Sequence, residues 1–161
     1  MTAKERRLLN TLYISGSALI AFGILVVVKF AVEWGTEEMY ILLIQMFLEV
    51  NPPLAIVFIS LTAGVMFLEF FSCLYIGLSA KADSRGKKKG IFYIVVAFIM
   101  MAIMIVSVAL TIFLIITSPF EVFYLLENLV YIGVGITVIF CLLQIITSSI
   151  KKRKLHKKGV V

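Results

Sequence analysis

The sequence predicts an all-α membrane protein, a four-transmembrane-helix bundle with two short interfacial helices on the outer side. Three observations carry this prediction: the apolar content, four apolar runs of spanning length, and the placement of the cations. Hydrophobic residues make up 62% of the 161 residues, and the mean hydropathy is +1.12. Soluble domains are only about half apolar. A soluble fold of this length could not bury so much apolar surface, so lipid is the expected solvent.

The predicted spans are residues 8–32, 54–80, 91–117 and 129–150. Each run exceeds the roughly 20 residues that a helix needs to cross the hydrocarbon core of a bilayer. The first run is too long for the apolar region of a cleaved signal peptide, and Lys29 and Glu33 take the place of a cleavage site. We therefore expect residues 1–161 to form a single integral membrane domain.

The positions of the lysines and arginines indicate how the chain is oriented in the membrane. All of the 15 lysines and arginines except Lys29 fall within residues 4–7, 81–89 and 151–158. Short basic segments stay on the cytoplasmic side of a membrane. The sequence thus predicts a multi-pass protein of the cell membrane with both the N-terminus and the C-terminus in the cytoplasm.

Two outer segments, residues 37–50 and 119–127, are too short to span a membrane and too apolar for water, which favours interfacial helices. Ser118 is a suitable N-cap, Pro119 suits the first helical position, and Glu121 can complete a capping box. We expect this helix to start at Pro119 and to lead into the fourth span.

Glu69 is the residue that most needs an explanation, because it lies near the predicted bilayer centre. A carboxylate there costs a few kcal/mol or more unless it is paired, hydrated or protonated. Lys29 should lie at the outer interface, so depth argues against a direct bridge between the two. The candidates for an ion or proton site are Glu69 and polar residues at similar depth: Thr62, Ser72, Thr137 and Gln144.

Three interpretations of Glu69 stay open. A protonated carboxyl could donate a structural hydrogen bond across the bundle. Alternatively, Glu69 could bind a proton, a cation or a cationic ligand in a polar cleft. In the third interpretation it pairs with a basic residue of a partner protein.

Small residues predict where helices pack. Glycine, serine and similar residues allow close approach of helices in lipid. The fourth span carries a stripe of small and polar residues, and the first span has two glycines on one face. The candidates for helix packing are Gly16, Gly23, Gly133, Cys141 and Ser148.

Motifs for catalysis or metal binding do not emerge. Cys73 and Cys141 form no Cys-x-x-Cys pair, and His156 has no second ligand near it in the sequence. Neither a Ser–His–Asp set nor a phosphate-binding glycine loop is present. We therefore expect no enzymatic activity, no cofactor and no metal.

The C-terminal basic run should attract anionic lipid at the cytoplasmic face, at about 1 kcal/mol per charge near the surface. The expected contacts are Lys151, Lys152, Arg153, Lys154, Lys157 and Lys158. Nucleic acid is not an expected partner, because membrane orientation already accounts for these charges.

Two functions compete. The first is a non-enzymatic interaction or accessory subunit that acts through its helix faces, by self-association or with a membrane-protein partner. The second is a small ion or proton channel or transporter that uses Glu69. Whether Glu69 faces a hydrated cavity or a dry helix seam distinguishes the two.

Overall fold

Four long helices form nearly all of the described part of the protein. The structure is a computed structural model that describes residues 3–36, 45, 52–87, 90–117 and 122–157. The helices are α1 (Ala3–Thr36), α2 (Pro52–Ser84), α3 (Phe92–Thr117) and α4 (Val122–Lys157).

Each helix contains a stretch long and apolar enough to cross a membrane. These stretches are Glu5–Lys29, Ala63–Ser84, Phe92–Thr117 and Asn128–Leu155. Within the described residues, the prediction of an all-helical structure with four helices of spanning length is confirmed. The four candidate spans suggest a multi-pass membrane protein.

The predicted outer helices fall mainly outside the described residues. Only residue 45 of the segment 37–50 is described, and the capping box at Ser118–Glu121 lies outside the description. Both stay predictions. Residues 122–127 form the first turns of α4, which continues without a break to Lys157.

The helices are arranged as an up-and-down ring. α1 packs extensively on α2 and on α4, while α3 packs on α4 and more lightly on α2. Across the diagonal, α2 and α4 meet at only a few positions, and α1 and α3 make no contact within the described residues. The end of the molecule where α1 and α3 begin and α2 and α4 end is called the basic end below.

Glycines allow α1 and α2 to approach closely. A Cβ atom added to Gly16 would lie 2.8 Å from the backbone oxygen of Gly77, and one added to Gly77 would lie 2.6 Å from the backbone oxygen of Gly16. Further along the seam, a Cβ at Gly23 would lie 3.1 Å from Cys73 Cβ. The two antiparallel backbones are therefore almost in contact, as small residues permit in lipid.

α4 joins the other helices through a mixture of apolar and polar contacts. Leu142 and Ile145 are fully buried in the core between the helices. Ser15 of α1, also buried, donates a hydrogen bond of 2.6 Å from Oγ to Gln144 Oε1. On the α3 side, a Cβ added to Gly135 would lie 2.6 Å from Val108 Cγ2.

The outward surface is strongly apolar. α3 has the smallest buried share of the four candidate spans, and its Phe98, Phe113 and Ile116 are 59–77% exposed. Soluble monomers rarely expose apolar patches of this extent. This surface agrees with the candidate spans.

Candidate functional site

Glu69 lies at a cavity and not in a closed helix seam. The cavity has a volume of about 480 Å³ and lies between all four helices, in the half of the molecule remote from the basic end. Its described lining consists of Phe22, Leu25, Val26, Val28, Lys29, Met66, Glu69, Met104, Val130, Tyr131, Val134 and Gly135. We call this space the Glu69 cavity.

The lining is apolar except for three side chains. Glu69 is partly buried, and within the described part of the chain no side chain donates a hydrogen bond to its carboxylate. Lys29 also lines the cavity, and its Nζ lies 5.6 Å from the centre of the Tyr131 ring, a cation–π distance. Their predicted depths in the membrane argue against a direct salt bridge between Glu69 and Lys29, but the fold places both residues in the wall of one cavity.

The other candidates for the ion or proton site are dispersed. The side chain of Thr62 lies outside the described residues. Ser72, Thr137 and Gln144 are absent from the described lining of the Glu69 cavity. Gln144 accepts the hydrogen bond from Ser15, and Thr137 donates one of 2.9 Å to the Gly133 carbonyl within its own helix. Glu69 thus shares its cavity with none of Ser72, Thr137 and Gln144.

A second cavity of about 510 Å³ lies between α1 and α4. Thr137, Gly133 and Cys141 line it together with apolar residues such as Ala18 and Phe22. Gly133 is exposed, and a Cβ added there would meet no atom within 4 Å. Gly133 therefore does not contact another helix within the described chain, whereas Gly135 lies against α3.

The remaining packing candidates lie inside the molecule. Gly16 and Gly23 line the α1–α2 seam described above, and Ser148 is buried on α4. Neither of the two cysteines forms a disulfide; Cys73 is fully buried and Cys141 is partly buried.

The basic end holds a buried polar network that sequence analysis missed. Tyr93 of α3 donates a hydrogen bond of 2.5 Å to Asp83 Oδ2 of α2. The Tyr93 hydroxyl also lies 2.8 Å from Ser149 Oγ of α4. Because the single phenolic proton goes to Asp83, Ser149 is the donor in the second bond. Lys152 completes the network, and we call these four residues the Asp83 network.

A buried ion pair anchors the network. Lys152 Nζ lies 2.6 Å from Asp83 Oδ1 and 2.5 Å from the Asp83 backbone oxygen. The side chains of Lys152 and Asp83 are only 14% and 7% exposed. Both carboxylate oxygens of Asp83 therefore have donors, which a buried carboxylate needs to avoid a large desolvation cost.

The network uses part of the basic run that the sequence assigned to lipid. Lys152 is paired with Asp83, and Arg153 Nη2 donates a hydrogen bond of 2.8 Å to the Gly90 carbonyl. Lys151 and Lys154 are exposed. The side chain of Lys157 and the whole of Lys158 lie outside the described residues.

One signal could have revealed the network. Asp83 is the only aspartate in the chain, and it lies in the middle basic segment, where every other charged residue is a cation. An isolated acid among cations is a candidate for an internal ion pair. Its partner on α4, 69 residues away, could not be deduced from sequence spacing.

The described residues contain no group of three or more histidine, cysteine, aspartate or glutamate side chains that could hold a metal ion. The Glu69 cavity instead offers a single carboxylate in an apolar environment.

Comparisons of the chain with protein-family models, with curated proteins and with solved structures return no match.

Proposed function

We propose that the protein is a small multi-pass membrane protein that binds, and as a transporter carries, a ligand with a positively charged group on an apolar body. The single observation that carries this proposal is the position of Glu69, a carboxylate in the wall of a cavity of about 480 Å³ between four apolar helices. Such a charge inside candidate spans is costly, and residues of this kind usually mark a functional site.

The chemistry of the lining favours an apolar cation over a hydrated ion. Nine of the twelve described lining residues are hydrophobic or glycine, and a bare metal ion would find few oxygen ligands there. An apolar ligand fills such a space through dispersion contacts, and a cationic group on it can pair with Glu69. Ligand pockets commonly combine an apolar wall with a few polar groups in this way.

A continuous channel through the molecule fits the geometry less well. Between the Glu69 cavity and the basic end, the core is filled by fully buried side chains that include Leu12, Ile76, Leu142 and Ile145. The Asp83 network lies beyond them. A cavity with one closed side suits a binding site, and transport would require this core to open.

Binding of tetraphenylphosphonium, an apolar cation, to the purified full-length protein tests this proposal. Glu69→Gln should weaken binding by at least about tenfold, because the ligand charge loses its partner in an apolar site. Glu5→Gln is the matched control, since it removes the same charge outside the cavity and should leave affinity unchanged. Equal binding by wild type and Glu69→Gln would refute the cationic site and leave the interaction subunit as the standing hypothesis.

Flux distinguishes transport from binding alone. Protein reconstituted in liposomes should move tetraethylammonium, an alkyl cation that crosses a bare bilayer slowly, down its gradient, and Glu69→Gln should reduce that flux to the level of empty liposomes. Binding without flux would support an accessory protein that holds its ligand.

The proposed orientation places the basic end in the cytoplasm, as the positive-inside rule requires. In a variant with Cys73 and Cys141 replaced by serine, Ser84→Cys should resist an impermeant thiol reagent in intact cells. Gly35→Cys in the same background should react. Labelling of the cysteine at position 84 in intact cells would reverse the orientation.

A further inference from the structure

The end of α2 and the turn that follows it form a basic groove at the basic end, away from the Glu69 cavity. A groove of about 190 Å³ there is lined by Leu78, Lys81, Ala82, Arg85 and Lys87. Three of these five residues are cations, and none is acidic. We infer that this groove, the α2-turn groove, binds the phosphate of an anionic phospholipid.

Local backbone geometry brings the cations together. Gly86 has a φ of 80°, in the left-handed region that favours glycine. Lys87 N donates to the Ala82 carbonyl at 3.1 Å, and Gly86 N donates to the Asp83 carbonyl at 3.1 Å. These two bonds form a Schellman motif, which ends the helix and folds the chain back. Arg85 and Lys87 thereby line the same groove as Lys81.

The end of α2 would otherwise repel an anion, because free carbonyls give a helix C-terminus a partial negative charge. Here three of the last four carbonyls of α2 are occupied. Those of Lys81, Ala82 and Asp83 accept amides of the turn, and that of Asp83 also accepts the Lys152 ammonium. The side-chain cations therefore dominate the field in the groove.

These cations keep their charge available for a ligand. Arg85 and Lys87 are exposed, and neither forms an ion pair within the described residues. Lys81 Nζ lies 5.0 Å from the centre of the Tyr13 ring, a contact that orients the ammonium without neutralising it. The three cations of the groove differ in this respect from Lys152, whose positive charge is paired with the Asp83 carboxylate.

The apolar side of the groove favours a lipid over a soluble phosphate. Leu78 is 58% exposed and lies one turn before Lys81, at the end of a candidate span. A phospholipid could place its headgroup phosphate at the cations while its acyl chain lies along α2. This inference rests on the proposed membrane insertion but not on Glu69, so loss of cation binding and loss of lipid binding are separable results.

The test is binding of a fluorescent phosphatidylglycerol to the purified full-length protein in neutral detergent micelles, with phosphatidylcholine as the reference. The groove variant is Arg85→Gln with Lys87→Gln. The matched control is Arg6→Gln with Arg7→Gln, which removes the same charge from exposed positions at the same end. Arg85→Lys with Lys87→Arg keeps both charges and checks that the turn tolerates substitution.

The groove variant should raise the Kd for phosphatidylglycerol about tenfold or more, since each cation near the surface contributes substantially to anionic-lipid binding. The control and the charge-retaining variant should change the Kd less than about twofold. Equal loss in the groove and control variants would overturn the inference, because net charge alone would then explain binding. Competition by free glycerol phosphate as effective as that by the lipid would also overturn it.

Discussion

At the basic end, side chains from three helices form a buried network around Asp83, whereas in the remote half of the molecule Glu69 faces a cavity. Both residues are acids on α2, separated by about four helical turns. Asp83 has donors for both carboxylate oxygens and for its carbonyl. No described side chain donates to Glu69. The difference is that Asp83 joins three helices through its partners, whereas Glu69 is the residue to which we assign ligand binding.

The helix seams show the same contrast. Near the basic end, Gly16 and Gly77 bring α1 and α2 almost into backbone contact. In the remote half, α1 and α4 leave room for two cavities that share Phe22, Leu25, Val130 and Val134 in their walls. Tight packing at one end and open space at the other fit the proposal of a binding site in the remote half.

The largest effect should come from Asp83→Ala. This change leaves the Lys152 ammonium buried without its counter-ion, and removing one partner of a buried pair costs about 3–5 kcal/mol. Thermal or denaturant unfolding in detergent would measure the loss. Asp83→Asn should cost less, because the amide oxygen can still accept from Tyr93. Wild-type stability of Asp83→Ala would mean that the network does not hold the basic end together.

Gly16→Ala should have the next largest effect, a loss of about 1–3 kcal/mol, because the new methyl group would meet a backbone oxygen that cannot move alone. Gly133→Ala is the control within the same fold. Its Cβ enters open space, so stability should stay the same or rise by about 0.4–1 kcal/mol through the better helix propensity of alanine. The same unfolding assay compares the two. Similar losses in both would contradict the proposed difference between the seams.

Glu69→Leu should leave stability unchanged or raise it, since an acid without a described donor is replaced by a side chain that suits the apolar cavity. Binding of tetraphenylphosphonium should nevertheless fall as in Glu69→Gln. A stability loss as large as that of Asp83→Ala would instead identify Glu69 as a structural residue.

Lys29→Gln should strengthen binding of the apolar cation by about two- to fivefold, because it removes a like charge from the cavity wall. The effect is smaller than that of Glu69→Gln because Lys29 is exposed and its charge is screened by water. The same binding assay at two salt concentrations measures it. Weaker cation binding in Lys29→Gln would contradict this charge argument and would indicate that Lys29 holds the cavity wall in place through its contact with the Tyr131 ring.

The smallest effect should come from Tyr131→Phe. This change removes the hydroxyl that lies 2.9 Å from Ser107 Oγ and keeps the ring beneath Lys29. Because both hydroxyls lie at an exposed contact, the loss should be below about 1 kcal/mol. A large loss of stability would mean that the α3–α4 contact in the remote half is as essential as the Asp83 network.

Much of the fold could be predicted because spanning length and apolar content act locally. The runs 8–32, 54–80 and 129–150 each lie within one observed helix, and Ile91 alone of the third run precedes its helix. The helices extend beyond the runs, because polar residues such as Lys152 and Arg153 continue α4 while bonding to neighbouring elements. A hydropathy pattern ends the predicted span where such polar residues begin, so it does not predict that the helix continues through them.

The candidate site was only partly predictable. Intramembrane depth pointed to Glu69, since an acidic residue near the middle of a long apolar run is visible in the sequence and is costly in lipid unless its environment compensates. Its grouping with Ser72, Thr137 and Gln144 assumed that polar residues at similar depth meet. The rotation of each helix about its axis decides whether they do, and that rotation follows from packing contacts such as those of Gly16 and Gly135.

The sequence by itself determined that the chain is helical, that it has four helices of spanning length, and that Glu69 is an anomaly among apolar residues. Composition and local periodicity carry this information, because each depends on neighbours along the chain. Only the tertiary structure decided that Glu69 faces a cavity, that Asp83 is neutralised by Lys152, and that the α2 turn gathers three cations into a groove. The first two features join residues on different helices, and the third depends on the backbone geometry of the turn that ends α2. Spacing along the chain gives none of this side-chain geometry.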